Sequence, residues 1–143
     1  MKTINPATGN VIKEYAEMST EEVSEIIEQA NKAQKHWQKT SFGNRSGYLR
    51  KIASLLKERK NEYGKLMSEE MGKPLTEASS EVEKCAWVCE YYADNAEQFL
   101  SDEPAESDAK KSYVTFNPLG IVLSIMPWNY PFWQLFRFAA PAL

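Results

Sequence analysis

Asn129 is the residue whose type and setting most directly suggest chemistry. It stands between Pro127-Trp128 and Tyr130-Pro131, just past the apolar run Ile121 to Met126. A carboxamide offers two N–H donors and no charge, so it can stabilise a developing oxyanion without itself ionising. The run before it, bounded by Gly120 and Pro127, reads as a strand buried on both faces. Open α/β sheets bind their ligands just past the carboxyl end of such a strand, where the next helix begins. The same residues also suit a plain helix start, with Asn129 as N-cap and Pro131 in the first turn. The residues alone leave both readings open.

Other reactive side chains are few. His36 is the only histidine, and the two cysteines, Cys85 and Cys89, lie four apart on an apolar helical face. A structural zinc site needs four ligands, so no metal site is expected. Helical spacing sets the two Cβ atoms roughly 5–6 Å apart, whereas a disulfide wants about 3.8 Å. Both are therefore expected as free thiols, which makes the reducing cytoplasm the default location. With no histidine and no helix N-terminus beside them, they read as packing residues, not nucleophiles. Gly43-Asn-Arg-Ser-Gly47 lacks the pattern of a phosphate-binding loop.

The 143 residues suffice for one domain with a real core. A net charge of −3 without a basic stripe argues against nucleic acid as a partner. No apolar leader follows Met1. The apolar stretch from Gly120 to Leu143 contains three prolines and Arg137. An arginine at mid-membrane costs roughly 2.5–3.5 kcal/mol on insertion scales, so no membrane partner is expected.

The elements that must position Asn129 are mostly helices. Ile4 to Ile12 holds Asn-Pro and Thr-Gly-Asn turn signals and reads as a small hairpin or strand pair. Ser19-Thr-Glu-Glu22 matches a capping box, and Val23, Ile26, Ile27, Ala30, Ala33 and Trp37 then recur at helical spacing. A loop around Ser41 to Asn44 precedes a helix with Leu49, Ile52, Ala53 and Leu56 inward. A shorter helix from about Asn61 points Leu66, Met67 and Met71 inward and ends at Gly72. The longest helix runs from about Pro74 to Leu100, with an apolar face from Leu75 to Leu100 that Trp87, Tyr91 and Tyr92 widen. Ser101 to Lys111 reads as an exposed connection, Tyr113 to Phe116 as a short strand. Phe132, Leu135, Phe136 and Ala139 mark a final helix. A parallel strand needs a partner delivered through a crossover, and no further strand follows, so the chain reads as the front of a larger α/β domain.

Several segments, taken in order, resemble the aldehyde dehydrogenase superfamily over essentially the whole chain. They are Ile4-Asn-Pro-Ala-Thr-Gly9, Glu70-Met-Gly-Lys-Pro-Leu75 with Glu77-Ala78 and Glu81, Tyr91-Tyr-Ala93, Pro118-Leu-Gly-Ile-Val122, Pro127-Trp-Asn-Tyr-Pro131 and Ala140-Pro-Ala-Leu143. Pro127 to Gln134 together with Arg137 is most similar to the succinate-semialdehyde dehydrogenase branch. The resemblance implies an α/β fold: residues 1–143 would form the N-terminal portion of the dinucleotide-binding domain, with its helical part and the first parallel strand–helix of an incomplete Rossmann-like unit. Residues 101–117 would supply a connection and a strand of an oligomerisation-type hairpin, and the catalytic domain would lie outside the chain.

The chemistry implied is NAD- or NADP-dependent oxidation of an aldehyde, succinate semialdehyde in this branch, to the acid. A cysteine thiolate attacks the aldehyde, hydride leaves to the cofactor, and a glutamate-activated water hydrolyses the thioester. Asn129 matches the family asparagine that holds the oxyanion, and Met126, Pro127, Trp128 and Asn129 match positions lining the cofactor. Tyr130 stands where the family usually has phenylalanine. Gln134 and Arg137, three apart on one helix face, suit the far carboxylate of the substrate, although a surface arginine is the plainer account of Arg137. The family's nucleophile and base match no residue here, so the 143-residue chain alone is expected to be inactive. The family's habit implies a homo-oligomer, dimer or tetramer. A non-catalytic interaction or structural domain, associating through a strand edge and the apolar last helix, is the alternative.

Overall fold

A computed structural model describes residues Met1 to Leu143. Asn5 starts the chain's first turn: its side-chain Oδ1 accepts from the N–H groups of Ala7 and Thr8, at 2.9 and 3.2 Å. The turn folds β1 (Lys2–Ile4) back on β2 (Val11–Glu14) as an antiparallel pair. Ser19 then opens α1 (Thr20–Trp37) with the expected reciprocal cap. Its hydroxyl accepts from Glu22 N–H at 3.2 Å, and Glu22 Oε2 accepts from Ser19 N–H at 2.7 Å.

The expected loop at Ser41 to Asn44 is already helix. Ser41 caps Asn44 N–H, and α2 (Phe42–Glu58) begins at once, because serine supplies the acceptor that the first turn lacks. Only Arg59 separates α2 from α3 (Lys60–Met71). Gly72, at φ 73°, ends α3 in the left-handed conformation that glycine adopts without penalty. After Pro74 comes α4 (Leu75–Phe99), within a residue of the expected span.

The core forms around α4. Ala78, Val82, Cys85, Ala86, Cys89 and Ala93 form its buried stripe. Leu49, Ala53 and Leu56 of α2 and Met67 of α3 close over them. From the last helix, α5 (Pro131–Ala142), Ala140 joins the core and Phe132, Trp133 and Phe136 pack against it. The ion pairs Arg50–Asp94 (2.7 Å), Lys57–Glu90 (2.5 Å) and Lys60–Glu83 (2.5 Å) tie α2 and α3 to α4. Exposed pairs of this kind contribute about 0–1 kcal/mol each, so they set register more than strength.

Several expectations fail, each for a reason of reach. Leu66, Leu75, Leu100 and Leu135 are exposed, because they lie at the edge or beyond the end of their helix's contact strip. Trp87 and Tyr91 do not widen the core: both are exposed and stack on each other, ring centres 5.7 Å apart. No residue of α1 is buried, so the apolar side of that helix, Val23, Ile26 and Ile27 included, faces outward.

The largest correction concerns Ile121 to Met126. This segment belongs to no helix and no sheet, and Leu123 and Ile125 are 85% and 87% exposed. A strand exists only through a ladder with a neighbour, and no other part of this chain offers one. The sheets are two small antiparallel pairs: β1–β2, and β3 (Glu103–Pro104) with β4 (Tyr113–Val114). The expected parallel strand is thus not formed within these residues, and the expected connection from Ser101 contains β3.

Candidate functional site

The turn that carries Asn129 is built by prolines and finished by a helix. Gly120, at φ 107°, adopts a backbone conformation that favours glycine just before the apolar segment. Pro127 and Pro131 then bracket Trp128-Asn129-Tyr130, and Pro131 starts α5, a position where its missing N–H costs nothing. Asn129 does not cap that helix. Tyr130 is the N-cap residue, and no side chain makes a cap bond there. The carboxamide of Asn129 is exposed and uncommitted.

Its two neighbours face different spaces. Trp128, 76% exposed, borders a shallow groove with Leu66, Met67, Glu70 and Met71 of α3 and Pro131 and Phe132 of α5. Tyr130 borders an open cleft of about 640 Å³ between α4 and α5, with Trp133, Gln134 and Arg137 on one side and Glu77, Glu81 and Lys84 on the other. The two spaces share no lining residue. Of the expected site residues, Tyr130, Gln134 and Arg137 therefore meet in one cleft. Trp128 lines the other, Met126 is half-buried and Pro127 exposed before it, and Asn129 sits at the divide.

The charge around the cleft is organised. Lys73 and Glu81 are the two charged residues buried in this chain, 8% and 5% exposed, and they pair with each other. Glu81 Oε1 also accepts from Trp133 N–H at 2.9 Å. Lys73 Nζ lies 3.6 Å from the centre of the Tyr130 ring, and Lys84 Nζ 3.9 Å from that of Trp133. With Glu81 neutralised by Lys73, the cleft is left with Lys84 and Arg137 against Glu77.

Lys73, Glu81 and Lys84 were not among the residues expected at the site. Glu81 had a signal: it falls on the same face as Ala78, Val82 and Cys85, where a carboxylate is out of keeping unless paired. Lys73 and Lys84 had none, because a lysine in a charged stretch is ordinarily solvated.

The cysteines are packing residues. Both are free and fully buried. Burial above all, then the charge of Glu81, pushes the Cys85 thiol up to about 12, and burial with Glu90 pushes Cys89 up to about 11. Thiols held protonated in this way are poor nucleophiles. No three His, Cys, Asp or Glu side chains gather as they would around a metal ion, and no helix is long and apolar enough to cross a membrane.

Helices packed on one long helix, with an uncommitted carboxamide between two clefts ahead of α5, recur in enzymes of known structure. Residues 1–143 match the aldehyde dehydrogenase family throughout, and the chain belongs to that family. A probable NADP(+) succinate-semialdehyde dehydrogenase of Synechocystis sp. is 46% identical over 141 residues, 99% of this chain and 31% of that protein. The crystal structure of succinic semialdehyde dehydrogenase from Streptococcus pyogenes with NADP+ superposes with a TM-score of 0.94 at 34% identity, over 99% of this chain and 31% of that one. An NADP-dependent glyceraldehyde-3-phosphate dehydrogenase from Bacillus halodurans gives 0.91 at 35% identity, over 100% of this chain and 31% of that one. The chain thus spans about a third of the length of the relatives it matches.

Proposed function

We propose that this chain forms the oxyanion-holding wall of an NAD(P)-dependent aldehyde dehydrogenase whose substrate is succinate semialdehyde. One observation carries the reading: Asn129, its carboxamide free, stands between a residue lining a groove and a residue lining a cation-bearing cleft. The residues present fit one face of a nicotinamide cofactor. Trp128 offers an exposed indole beside the shallow groove it borders with α3. When bound, that cofactor accepts the hydride lost as an aldehyde becomes an acid. The similarity to NADP(+) enzymes favours the phosphorylated form.

This chain's own part is electrostatic. Asn129 donates its amide N–H to the oxygen that becomes negative when the carbonyl is attacked, and it needs no proton transfer to do so. Arg137 and Lys84 attract the far carboxylate, and Gln134 adds a neutral donor on the same face. The activity depends on a nucleophile other than Cys85 and Cys89, since both are buried and held protonated. In the Rossmann-like reading, residues 120–126 gain strand partners from the remainder of the dinucleotide-binding domain, and residues 101–117 contribute to a homo-oligomer. Two free thiols fit a cytoplasmic protein. The alternative, a non-catalytic interaction domain, draws on the exposed apolar residues of α1 and of the segment before Pro127.

In the full-length protein, Asn129→Ala is expected to lower kcat on the order of 10²–10³-fold with little change in Tm. Arg137→Gln, by contrast, should raise KM for succinate semialdehyde about three- to fivefold and leave KM for an uncharged aldehyde alone, as expected when one exposed charge pair is lost. Wild-type turnover in the first variant would remove the oxyanion role. An equal effect on both aldehydes in the second would remove the dicarboxylic substrate.

A further inference from the structure

The buried pair Lys73–Glu81, beside Tyr130 and Trp133, has no part in the chemistry just described. Two charges withdrawn from water are costly unless each is well paired, and replacing such a pair by apolar groups is often neutral or stabilising. Stability therefore does not explain it. Its contacts suggest another purpose. Glu81 uses both carboxylate oxygens, Oε2 for Lys73 and Oε1 for the N–H of Trp133. Trp133 is the third residue of α5, a position whose N–H has no partner inside its own helix. Pro131 has no N–H, and Tyr130 supplies no side-chain cap, so α4 provides the acceptor that the start of α5 lacks. The negative charge also lies at the positive end of the helix. On the other side of the pair, Lys73 Nζ is seated on the ring of Tyr130. The pair thus grips the residue immediately after Asn129 and the helix three residues beyond.

We propose that Lys73 and Glu81 are positioning residues for the oxyanion donor, fixing the Asn129 carboxamide by clamping Tyr130 and the first turn of α5. Glu81 turns both carboxylate oxygens inward, Oε2 to Lys73 and Oε1 to the N–H of Trp133, so its contacts are with the protein itself. Catalysis is sensitive to such placement: a displacement of about 1 Å in a reacting group can cost on the order of 10²-fold. The inference rests on the oxyanion role of Asn129 and is tested so that the two can fail separately.

The test is a double-mutant cycle in the full-length enzyme, with kcat and KM for the aldehyde measured for each form. The Lys73→Met/Glu81→Leu protein removes both charges at once and so leaves neither stranded. Its kcat is expected to fall roughly 10- to 100-fold, less than the loss from removing the donor itself, while KM stays within about threefold. Combined with Asn129→Ala, the same two substitutions should cost almost nothing more, because there is no donor left to misplace. Lys73→Gln/Glu81→Gln, which also removes both charges but keeps an oxygen for Trp133 N–H, serves the same cycle with a smaller loss and decides the matter if the apolar replacement does not fold. Wild-type kcat in the folded variants, or a loss of the same factor with and without Asn129, overturns the positioning role. Wild-type turnover in Asn129→Ala alone overturns the oxyanion reading instead.

Discussion

At the scale of single residues, burial decides what each reactive group can do. Cys85 and Cys89 have thiol groups like any other, yet the folded chain raises their ionisation well above the ordinary value of 9.0. Both thiols should resist a neutral-pH thiol reagent in the folded protein and react promptly in denaturant. The same shift makes stability depend on pH in a definite direction. The unfolded thiols ionise near 9.0 and the folded ones near 11 to 12, so the contribution is whole below pH 9 and declines as pH rises through this window. Denaturation midpoints between pH 8 and 11 should therefore fall less for Cys85→Ala than for the parent, beyond any constant offset; parallel curves would contradict the assignment. The residue-level reading expected Asn129, Tyr130, Gln134 and Arg137 at a site from the family resemblance of one continuous stretch, and the last three line one cleft. It missed Lys73 and Glu81, whose partnership closes across a helix boundary and is completed by Trp133, 52 residues further on.

At the scale of elements, α4 is the member on which α2, α3 and α5 all pack. Its apolar repeat and the caps of its neighbours are local signals, which is why the helices were legible nearly to the residue. Facing residues were less so, since periodicity gives a stripe but not which end of it a partner covers. Gly64 marks a close approach of α3 to α4: a Cβ there would lie 2.8 Å from Ser79 Oγ and 3.3 Å from Ser79 N. In an isolated helix Gly→Ala gains about 1 kcal/mol. Here the overpacking, about 1–3 kcal/mol, should prevail over that gain, and Gly64→Ala is expected to lose up to about 2 kcal/mol of stability by chemical denaturation. A gain would mean that α3 and α4 can move apart freely. The segment before Pro127, expected as a strand, forms none among these residues for the opposite reason to the helices: a strand's identity lies in its neighbour, which no local pattern supplies.

At the scale of the whole molecule, apolar surface remains uncovered on two sides, along α1 and along residues 119–125. Patches of this kind mark places where protein ordinarily packs on protein. The 143-residue polypeptide by itself should therefore self-associate at micromolar concentration, as read by sedimentation, and show no NAD(P)-dependent oxidation of succinate semialdehyde. A monomeric, active polypeptide would contradict both the surface reading and the inert thiols. Across the same molecule, the two proline rings around Asn129 have a thermodynamic consequence. Each ring fixes one backbone rotation, and each restricts the residue before it, Met126 and Tyr130. Immobilising a residue ordinarily costs about 1–2 kcal/mol of conformational entropy. Around this donor much of that ordering is written into covalent bonds, so little freedom remains to be lost when a charge appears beside it.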